Sequence, residues 1–276
     1  VMDLDEKDRR RQFEHHWLLG GLHYFRTFGD LIFDPDANQA AADFVRGKIS
    51  EIVDDRETAQ KLLPHGTIFA KRLCADTGYY ATYNRDNVHL VDVKEHPIEE
   101  ITERGVRTAN AQYELDCIVY ATGFDAMTGA LNRIDIRGRD GVALRERWAE
   151  GPRTYLGLEV SGFPNLFIIT GPGSPSVLTN MLPSIEQNVD FIADCIDWMH
   201  QRELRSIEAE RDAEDAWVEH VNAVADMTLF PGTDSWYTGS NIPGKPRVFM
   251  ALLGYPDYCA KCDEVAANDY EGFAFS

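Results

Sequence analysis

A short apolar segment in the middle of the chain, residues 117–120, runs directly into Ala-Thr-Gly and then Phe-Asp. This arrangement is typical of a buried strand in a doubly wound sheet, where cofactors bind at the carboxyl ends of the strands. Gly123 has no Cβ, so a ligand or a neighbouring backbone could approach it closely. The segment favours an α/β fold with a cofactor near this turn, although many buried strands end at a glycine.

The phosphate-binding motifs that usually accompany such a sheet do not occur in the sequence. Neither GxGxxG nor GxxxxGK[ST] is present, and the nearest match, residues 239–245, is followed by Pro246 where a Ser or Thr is required. The GxSxG motif that presents a nucleophilic serine does not occur either. The residues therefore predict an α/β domain of the cofactor-binding type without its phosphate-binding glycines.

Hydrophobic periodicity and helix-start residues predict a helical first part and a mixed remainder. Residues 1–66 are predicted to be mostly helical, with one helix starting at Asp34 and Pro35 and another near Asp55. Pro183 is predicted to open an amphipathic helix, whose apolar positions are Ile185, Val189, Ile192, Ile196 and Met199. Strands are predicted at residues 88–93, 98–102, 105–108, 113–115, 117–120 and 165–170, with 98–115 forming an antiparallel meander.

Acidic residues outnumber basic ones by a wide margin. The chain carries 46 Asp and Glu against 27 Lys and Arg, for a formal charge of −19. Nucleic acids and anionic membrane surfaces are bound through Lys and Arg, so this excess argues against both as partners. Part of the excess forms one stripe on the helix after Pro183, which we expect to face solvent because like charges at this spacing repel. The stripe consists of Glu186, Asp190, Asp194 and Asp197.

The five cysteines of this chain do not make a disulfide framework. Cys259 and Cys262 form a single CxxC, which without a second pair or a nearby His predicts two cysteines one helical turn apart and no metal site. No apolar run is long enough to span a membrane, and the first residues do not resemble a signal peptide. These features favour a cytoplasmic protein.

Three long segments, residues 115–130, 171–186 and 234–247, resemble the flavin-dependent Baeyer–Villiger monooxygenases, with the nearest likeness to the phenylacetone and cyclohexanone monooxygenase branch. Lys71 with Arg72, and the Tyr-Glu-Gly-Phe segment at 270–273, fit the same family in the same order. The resemblance covers nearly the whole chain, but it corresponds only to the carboxyl-terminal half of the family.

The resemblance implies part of a flavoprotein with two Rossmann-like domains, one for FAD and one for NADP. Residues 1–66 would belong to a helical insertion, 67–125 to the end of the NADP-binding domain and 126–276 to the returning part of the FAD-binding domain. The family's GxGxxG motifs would lie in a missing amino-terminal half, which is therefore an expected partner. The implied reaction inserts one oxygen atom from O2 next to a ketone carbonyl and yields an ester or lactone.

Arg72 would be the catalytic residue if the resemblance holds. Its permanently charged guanidinium would stabilise the anion that attacks the ketone and would hold NADP in place. Lys71 would contact the 2′-phosphate of NADP, and Gly123 and Asp125 would shape the junction between the domains and touch a cofactor. On composition alone, a pair of solvated surface cations is the favoured interpretation of Lys71 and Arg72.

The resemblance implies contacts on two further segments. Trp236 would lie beside the nicotinamide and ribose of NADP, and Met181 near the flavin ring. Ser176, Val177 and Leu178 would form the substrate loop of the phenylacetone-type branch, which favours aryl ketones. For Trp236 and Met181, a structural role in the core is the alternative.

Two other functions stay open on the sequence. The chain could be an inactive remnant, or half of a split protein without its own cofactor binding, because the glycine-rich motifs are missing. It could also belong to a flavin monooxygenase that oxygenates nitrogen or sulfur, although Arg72 and the Trp236 segment fit the ketone-oxidising branch better.

Overall fold

The computed structural model describes all 276 residues, which form two compact units. The first unit comprises Val1–Leu31, Asp36–Ile68 and Leu73–Phe124, and the second comprises Ile32–Pro35, Phe69–Arg72 and Asp125–Ser276. Both units combine helices with short antiparallel strands. The mixture of helix and sheet agrees with the predicted α/β fold class.

The first unit places its helices before a small sheet. Asp55 begins the third helix as predicted, because its carboxylate accepts a hydrogen bond from the Thr58 amide at 2.7 Å. The strands form the predicted antiparallel meander, in which Val106 lies opposite Ile101 on one side and Tyr113 on the other. The elements are α1 (Glu6–Leu19), α2 (Pro35–Ile52, its first residue grouped with the second unit), α3 (Arg56–Leu62), α4 (Tyr79–Thr82), β1 (Ile98–Thr102), β2 (Gly105–Thr108) and β3 (Gln112–Glu114).

The second unit is built around three long helices. Phe191, Trp217 and Tyr258, one from each of these helices, are buried in one hydrophobic core. Cys259 and Cys262 lie one turn apart on the last helix, as predicted, and Cys262 is fully buried. The elements are α5 (Gly129–Asn132), α6 (Leu144–Arg147), α7 (Met181–Gln201), β4 (Ile207–Ala209), α8 (Arg211–Asp226), α9 (Tyr255–Ala267) and β5 (Phe273–Phe275), with β4 antiparallel to β5.

Three of the predicted strands are wrong. Residues 88–93, 117–120 and 165–170 belong to no strand, and Val119 is 83% exposed instead of buried. A strand needs a neighbour for its backbone hydrogen bonds, and no strand of this chain pairs with residues 88–93 or 117–120. Asn165 and Thr170 have φ values of 62° and 51°, which interrupt the extended backbone that the third strand requires.

The buried face of α7 differs from the predicted one. The helix buries Phe191, Cys195 and Met199 in the core, whereas Val189 and Ile196 are exposed. Asn188 is also buried, because its amide oxygen accepts from the Thr170 amide and its nitrogen donates to the Tyr258 hydroxyl. The predicted acidic stripe does face solvent, at Glu186, Asp190, Asp194 and Asp197.

The helices of this chain are too short or too polar for a membrane span. None of them is both long enough and apolar enough to cross a bilayer.

Candidate active site

Arg72 lies where a buried segment of the second unit reaches the surface. Phe69 and Ala70 are buried, while Lys71 and Arg72 are exposed. The Arg72 guanidinium donates a hydrogen bond to the carbonyl oxygen of Val177. The structure therefore brings the predicted catalytic cation to the predicted substrate loop, although the two are more than a hundred residues apart in sequence.

The substrate loop itself is a single helical turn, Ser176–Leu178. Ser176 is buried, and its hydroxyl lies 3.6 Å from the sulfur of Met127. Val177 and Leu178 are half-buried and pack against the core of the second unit. The side chains of the loop thus hold it against the second unit, and the Val177 carbonyl oxygen accepts the hydrogen bond from Arg72.

Trp236 stands on a third segment, the helical turn Trp236–Thr238. Ser235 precedes this turn, and its hydroxyl oxygen accepts a hydrogen bond from the Tyr237 amide at 3.1 Å. The rings of Trp236 and Tyr237 have centroids 4.4 Å apart, with Tyr237 buried and Trp236 half-buried. Burial raises the pKa of Tyr237, and the positive charge of Arg72 acts in the opposite direction. Arg72 therefore also lies within electrostatic reach of this segment.

Three non-glycine residues of these segments have left-handed backbone conformations. The φ values are 70° at Phe69, 68° at Met127 and 42° at Ser176. Such conformations cost about 1–3 kcal/mol each and persist only where surrounding contacts hold them. Seven other non-glycine residues of the chain also have a positive φ, so these conformations describe tight turns in the segments and do not by themselves mark a site.

Asp125 makes an ion pair that the sequence alone does not point to. The ammonium of Lys245 lies 2.6 Å from its carboxylate and 2.7 Å from the Ala126 carbonyl oxygen, and the Lys245 side chain is only 9% exposed. These residues are separated by 120 positions. The only sequence signal was the Pro-Gly-Lys-Pro tetrapeptide at 243–246, which resembles the end of a phosphate loop. Lys245 instead ties the start of the segment 125–127 to the loop that follows Trp236.

We expect Asp125→Asn to lower the stability of the protein by about 2 kcal/mol, because it leaves the nearly buried Lys245 ammonium without its anion. The measurement is the melting temperature of the protein. Asp135→Asn is the matched control, because Asp135 pairs with Arg137 on the surface, where both side chains are more than half exposed. Equal melting temperatures for the two variants would contradict a structural role for Lys245.

Met181 and Gly123 are the remaining predicted residues. Met181 is half-buried at the first position of α7, whose start is capped by the Asn180 side chain. Gly123 belongs to the first unit. Its φ of 84° lies in the left-handed region, which explains why a glycine occupies this position. No atom of this chain lies within 4 Å of the place that a Cβ would occupy there, so the close approach predicted for Gly123 does not come from this chain.

The arrangement suits an anionic ligand with an aromatic part. Lys71 and Arg72 present two adjacent cations to solvent, and Trp236 offers a partly exposed indole on a neighbouring segment. A guanidinium keeps its charge at any physiological pH and carries several donors in one plane. Nicotinamide dinucleotides combine phosphates with an aromatic ring, so the residues present fit such a cofactor.

Comparison with known proteins gives relatives along the whole chain. No family model matches the sequence. A cyclohexanone 1,2-monooxygenase of an Acinetobacter species is 44% identical over 99% of this chain, and a Baeyer–Villiger monooxygenase of Pseudooceanicola batsensis is 47% identical over 90%. The predicted resemblance is confirmed. This chain is homologous to the Baeyer–Villiger monooxygenases.

The homology extends to the fold and covers half of each relative. The crystal structure of OTEMO with FAD and NADP superposes on the whole chain with a TM-score of 0.93 at 40% identity, and the chain covers 52% of it. The chain likewise covers 50% of the Acinetobacter enzyme and 45% of the Pseudooceanicola enzyme. It therefore spans about half the length of the Baeyer–Villiger monooxygenases that it matches.

A relative named for a different activity is equally similar. A phenazine N-monooxygenase of Lysobacter antibioticus is 45% identical over 99% of this chain, which covers 51% of it. Sequence similarity to Baeyer–Villiger monooxygenases therefore leaves open whether the oxygen acceptor is a carbonyl group or a nitrogen atom.

Proposed function

We propose that this chain is the catalytic half of an FAD- and NADPH-dependent monooxygenase of the Baeyer–Villiger type. The enzyme would insert one oxygen atom from O2 next to the carbonyl of a small-molecule ketone and release an ester or lactone. The observation that carries the proposal is a pair of hydrogen bonds that joins the segment of Lys71 and Arg72 to two others. Arg72 donates to Val177 in the loop Ser176–Leu178, and the hydroxyl of Ser235, next to Trp236, donates to the Ala70 carbonyl oxygen.

The residues of this chain have distinct roles in the proposed enzyme. Bound NADPH and FAD supply the electrons and the oxygen chemistry. Arg72 holds the negative charge that develops during oxygen transfer and keeps NADP in place, because its charge cannot be lost by deprotonation. Lys71 binds the 2′-phosphate as a point cation. Trp236 would lie beside the nicotinamide and ribose of NADP.

The same segments would also contact the flavin and the substrate in this proposal. Met181 would contact the flavin ring, and the loop of Ser176, Val177 and Leu178 would shape the ketone pocket for aryl substrates. Asp125, held by Lys245, would fix the start of the returning segment beside the cofactor. Gly123 would leave room for cofactor or for the missing part of the enzyme, since no atom of this chain fills the space at its Cβ position.

We infer that the other half of the enzyme supplies the glycine-rich cofactor motifs. In this proposal residues 1–66 belong to a helical insertion, 67–125 to the NADP-binding domain and 126–276 to the FAD-binding domain. The exposed apolar side chains of Val119, Tyr120 and Phe124 support this, because a strand and a turn at these residues would be covered by neighbours that the chain does not contain.

The proposed reaction is tested by product analysis with the complete polypeptide, which is this chain together with the proposed other half of the enzyme. With phenylacetone, NADPH and O2, we expect an ester that contains one additional oxygen atom, and label from 18O2 should enter the ester. The present chain alone is the control. If it binds FAD stoichiometrically, the missing half is not needed for the cofactor; if the complete polypeptide makes no ester from any ketone, the proposal is wrong.

The phenazine N-monooxygenase makes nitrogen oxygenation the second candidate function. Competition between phenylacetone, phenazine and a thioether in one reaction separates the candidates. A product that is an N-oxide alone would favour the second candidate. Sulfoxide formation alone does not decide between them, because oxygen donors that attack ketones can also oxidise sulfur.

A further inference from the structure

We propose that Ser235 is a positioning residue for Arg72. Its buried hydroxyl links the segment that carries Lys71 and Arg72 to the segment that carries Trp236. The proposal rests on the proposed monooxygenase function, since it assigns Ser235 a role in that site. Ser235 itself touches neither substrate nor cofactor in this account.

The Ser235 hydroxyl uses both its donor and its acceptor capacity. It donates to the carbonyl oxygen of Ala70, 165 residues earlier in the sequence, and accepts from the amide of Tyr237 at 3.1 Å. Ser235 is fully buried, with an exposed fraction of 0%. A hydroxyl is the smallest side-chain group that can bridge a carbonyl and an amide in this way.

The backbone around Ser235 is held on its other side as well. The carbonyl oxygen of Ser235 accepts hydrogen bonds from the amides of Thr238 at 3.0 Å and Ser240 at 3.1 Å, and from the Thr238 hydroxyl at 2.8 Å. The residue that holds Ala70 is therefore itself fixed by four hydrogen bonds to its own loop, counting the one from Tyr237. Ser235 cannot move together with Ala70 unless these four hydrogen bonds break.

Ala70 is the last buried residue before the two cations. Phe69, immediately before it, adopts a left-handed conformation that is unfavourable for a bulky residue. The bond from Ser235 to the Ala70 carbonyl opposes relaxation of this backbone, so it sets the direction in which Arg72 leaves the core. Without the hydroxyl, we expect the Lys71 and Arg72 side chains to sample several positions relative to Trp236.

A purely structural role would give a different result from a positioning role. As the residue that caps a short helical turn, Ser235 stabilises the fold in either case. Only the positioning role predicts that NADPH consumption continues while ester yield falls. The ratio of ester formed to NADPH consumed is therefore the informative measurement.

The experiment uses Ser235→Ala, Ser235→Thr and Ser184→Ala in the complete polypeptide with FAD bound. In Ser235→Ala the ratio of ester to NADPH should fall about tenfold, because one hydrogen bond is worth about 1.4 kcal/mol of transition-state positioning. Ser235→Thr keeps the hydroxyl, and its backbone angles of −126° and 147° suit a β-branched residue, so the ratio should recover. Ser184→Ala is the matched control, because Ser184 is buried in the same unit and its hydroxyl has no hydrogen-bond partner.

Each outcome bears on the proposal. A low ratio in Ser235→Ala with recovery in Ser235→Thr and no change in Ser184→Ala supports the positioning role. An unchanged ratio in Ser235→Ala, failure of that variant to fold, or equal loss in Ser235→Thr overturns it. If the wild-type protein forms no ester at all, the proposed function itself fails, and this result is distinct from an active wild type with an unaffected Ser235→Ala.

Discussion

Arg72→Ala should leave NADPH oxidation running in the complete polypeptide while ester formation falls about a hundredfold or more. The physical reason is that a guanidinium next to the reacting atoms stabilises charge that develops only during oxygen transfer. Reduction of the flavin by NADPH does not develop that charge. The measurement is the initial rate of NADPH consumption beside the amount of ester formed in the same reaction.

Two further variants separate charge from geometry at this site. Arg72→Lys keeps a positive charge but lacks the planar set of donors, one of which bonds to Val177, so we expect partial activity. Arg247→Ala removes an exposed arginine of the loop that follows Trp236, whose guanidinium lies 3.5 Å from the Asp234 carboxylate. This variant should leave the ester yield unchanged. Unaltered ester formation in Arg72→Ala would contradict the assignment of Arg72 as the catalytic residue.

Glu159→Gln should stabilise the protein at neutral pH and change the pH dependence of its stability. Glu159 has an exposed fraction of 0%, and its carboxyl oxygens form no close hydrogen bond, since the amide of Ala209 lies near them without reaching hydrogen-bond geometry. Burial raises the pKa of Glu159 from 4.5 to about 8, with the charge of Glu208 adding to the shift and the amide of Ala209 opposing it. Burial and the charge of Glu159 raise the pKa of the Cys195 thiol, on α7, to about 12.

The sign of the effect follows from the two pKa values. The folded protein keeps a proton on Glu159 that the unfolded chain releases above pH 4.5, so the stability contributed by the protonated group is present below 4.5 and is lost as the pH rises toward 8. At pH 7 this loss is about 3 kcal/mol. Glutamine has the same shape and no charge, so the wild-type and variant melting temperatures should coincide near pH 4.5 and diverge by about 10 °C at pH 7.

Glu214→Gln provides a control of opposite sign in the same unit. Glu214 is equally buried and burial raises its pKa as well, but the hydrogen bond from the Ser161 amide at 3.0 Å and the paired charge of Arg147 oppose that shift. Removing the charge of Glu214 leaves an arginine without its partner, so we expect this variant to melt earlier at pH 7. Parallel pH profiles for wild type and Glu159→Gln would contradict the predicted proton uptake.

Local features of the structure were predictable because neighbouring residues decide them. Asp55 caps α3 and Pro35 begins α2, since capping and backbone restriction act within one helical turn. The meander β1–β3 follows from alternating side chains and short turns. The two cysteines of α9 also lie one turn apart, as their spacing requires. These features depend on contacts over a few residues of sequence.

Features that need distant partners were not predictable in the same way. Residues 117–120 have the composition of a buried strand, yet Val119 is exposed, because composition cannot supply the neighbour that a strand requires. The buried face of α7 is also displaced from its most apolar stripe, since Asn188 bonds to Tyr258 and Thr170. In both cases the deciding contact comes from another part of the fold or is absent from this chain.

The sequence by itself determined the family to which this chain is related and the residue types that carry its proposed chemistry. The segment around Trp236 can be recognised in the sequence because its residues are contiguous. Only the tertiary structure decided which residues meet: Arg72 with Val177, Asp125 with Lys245, and Ser235 with Ala70. Each pair is separated by at least 105 residues, so its formation depends on the packing of the whole second unit and not on any local pattern.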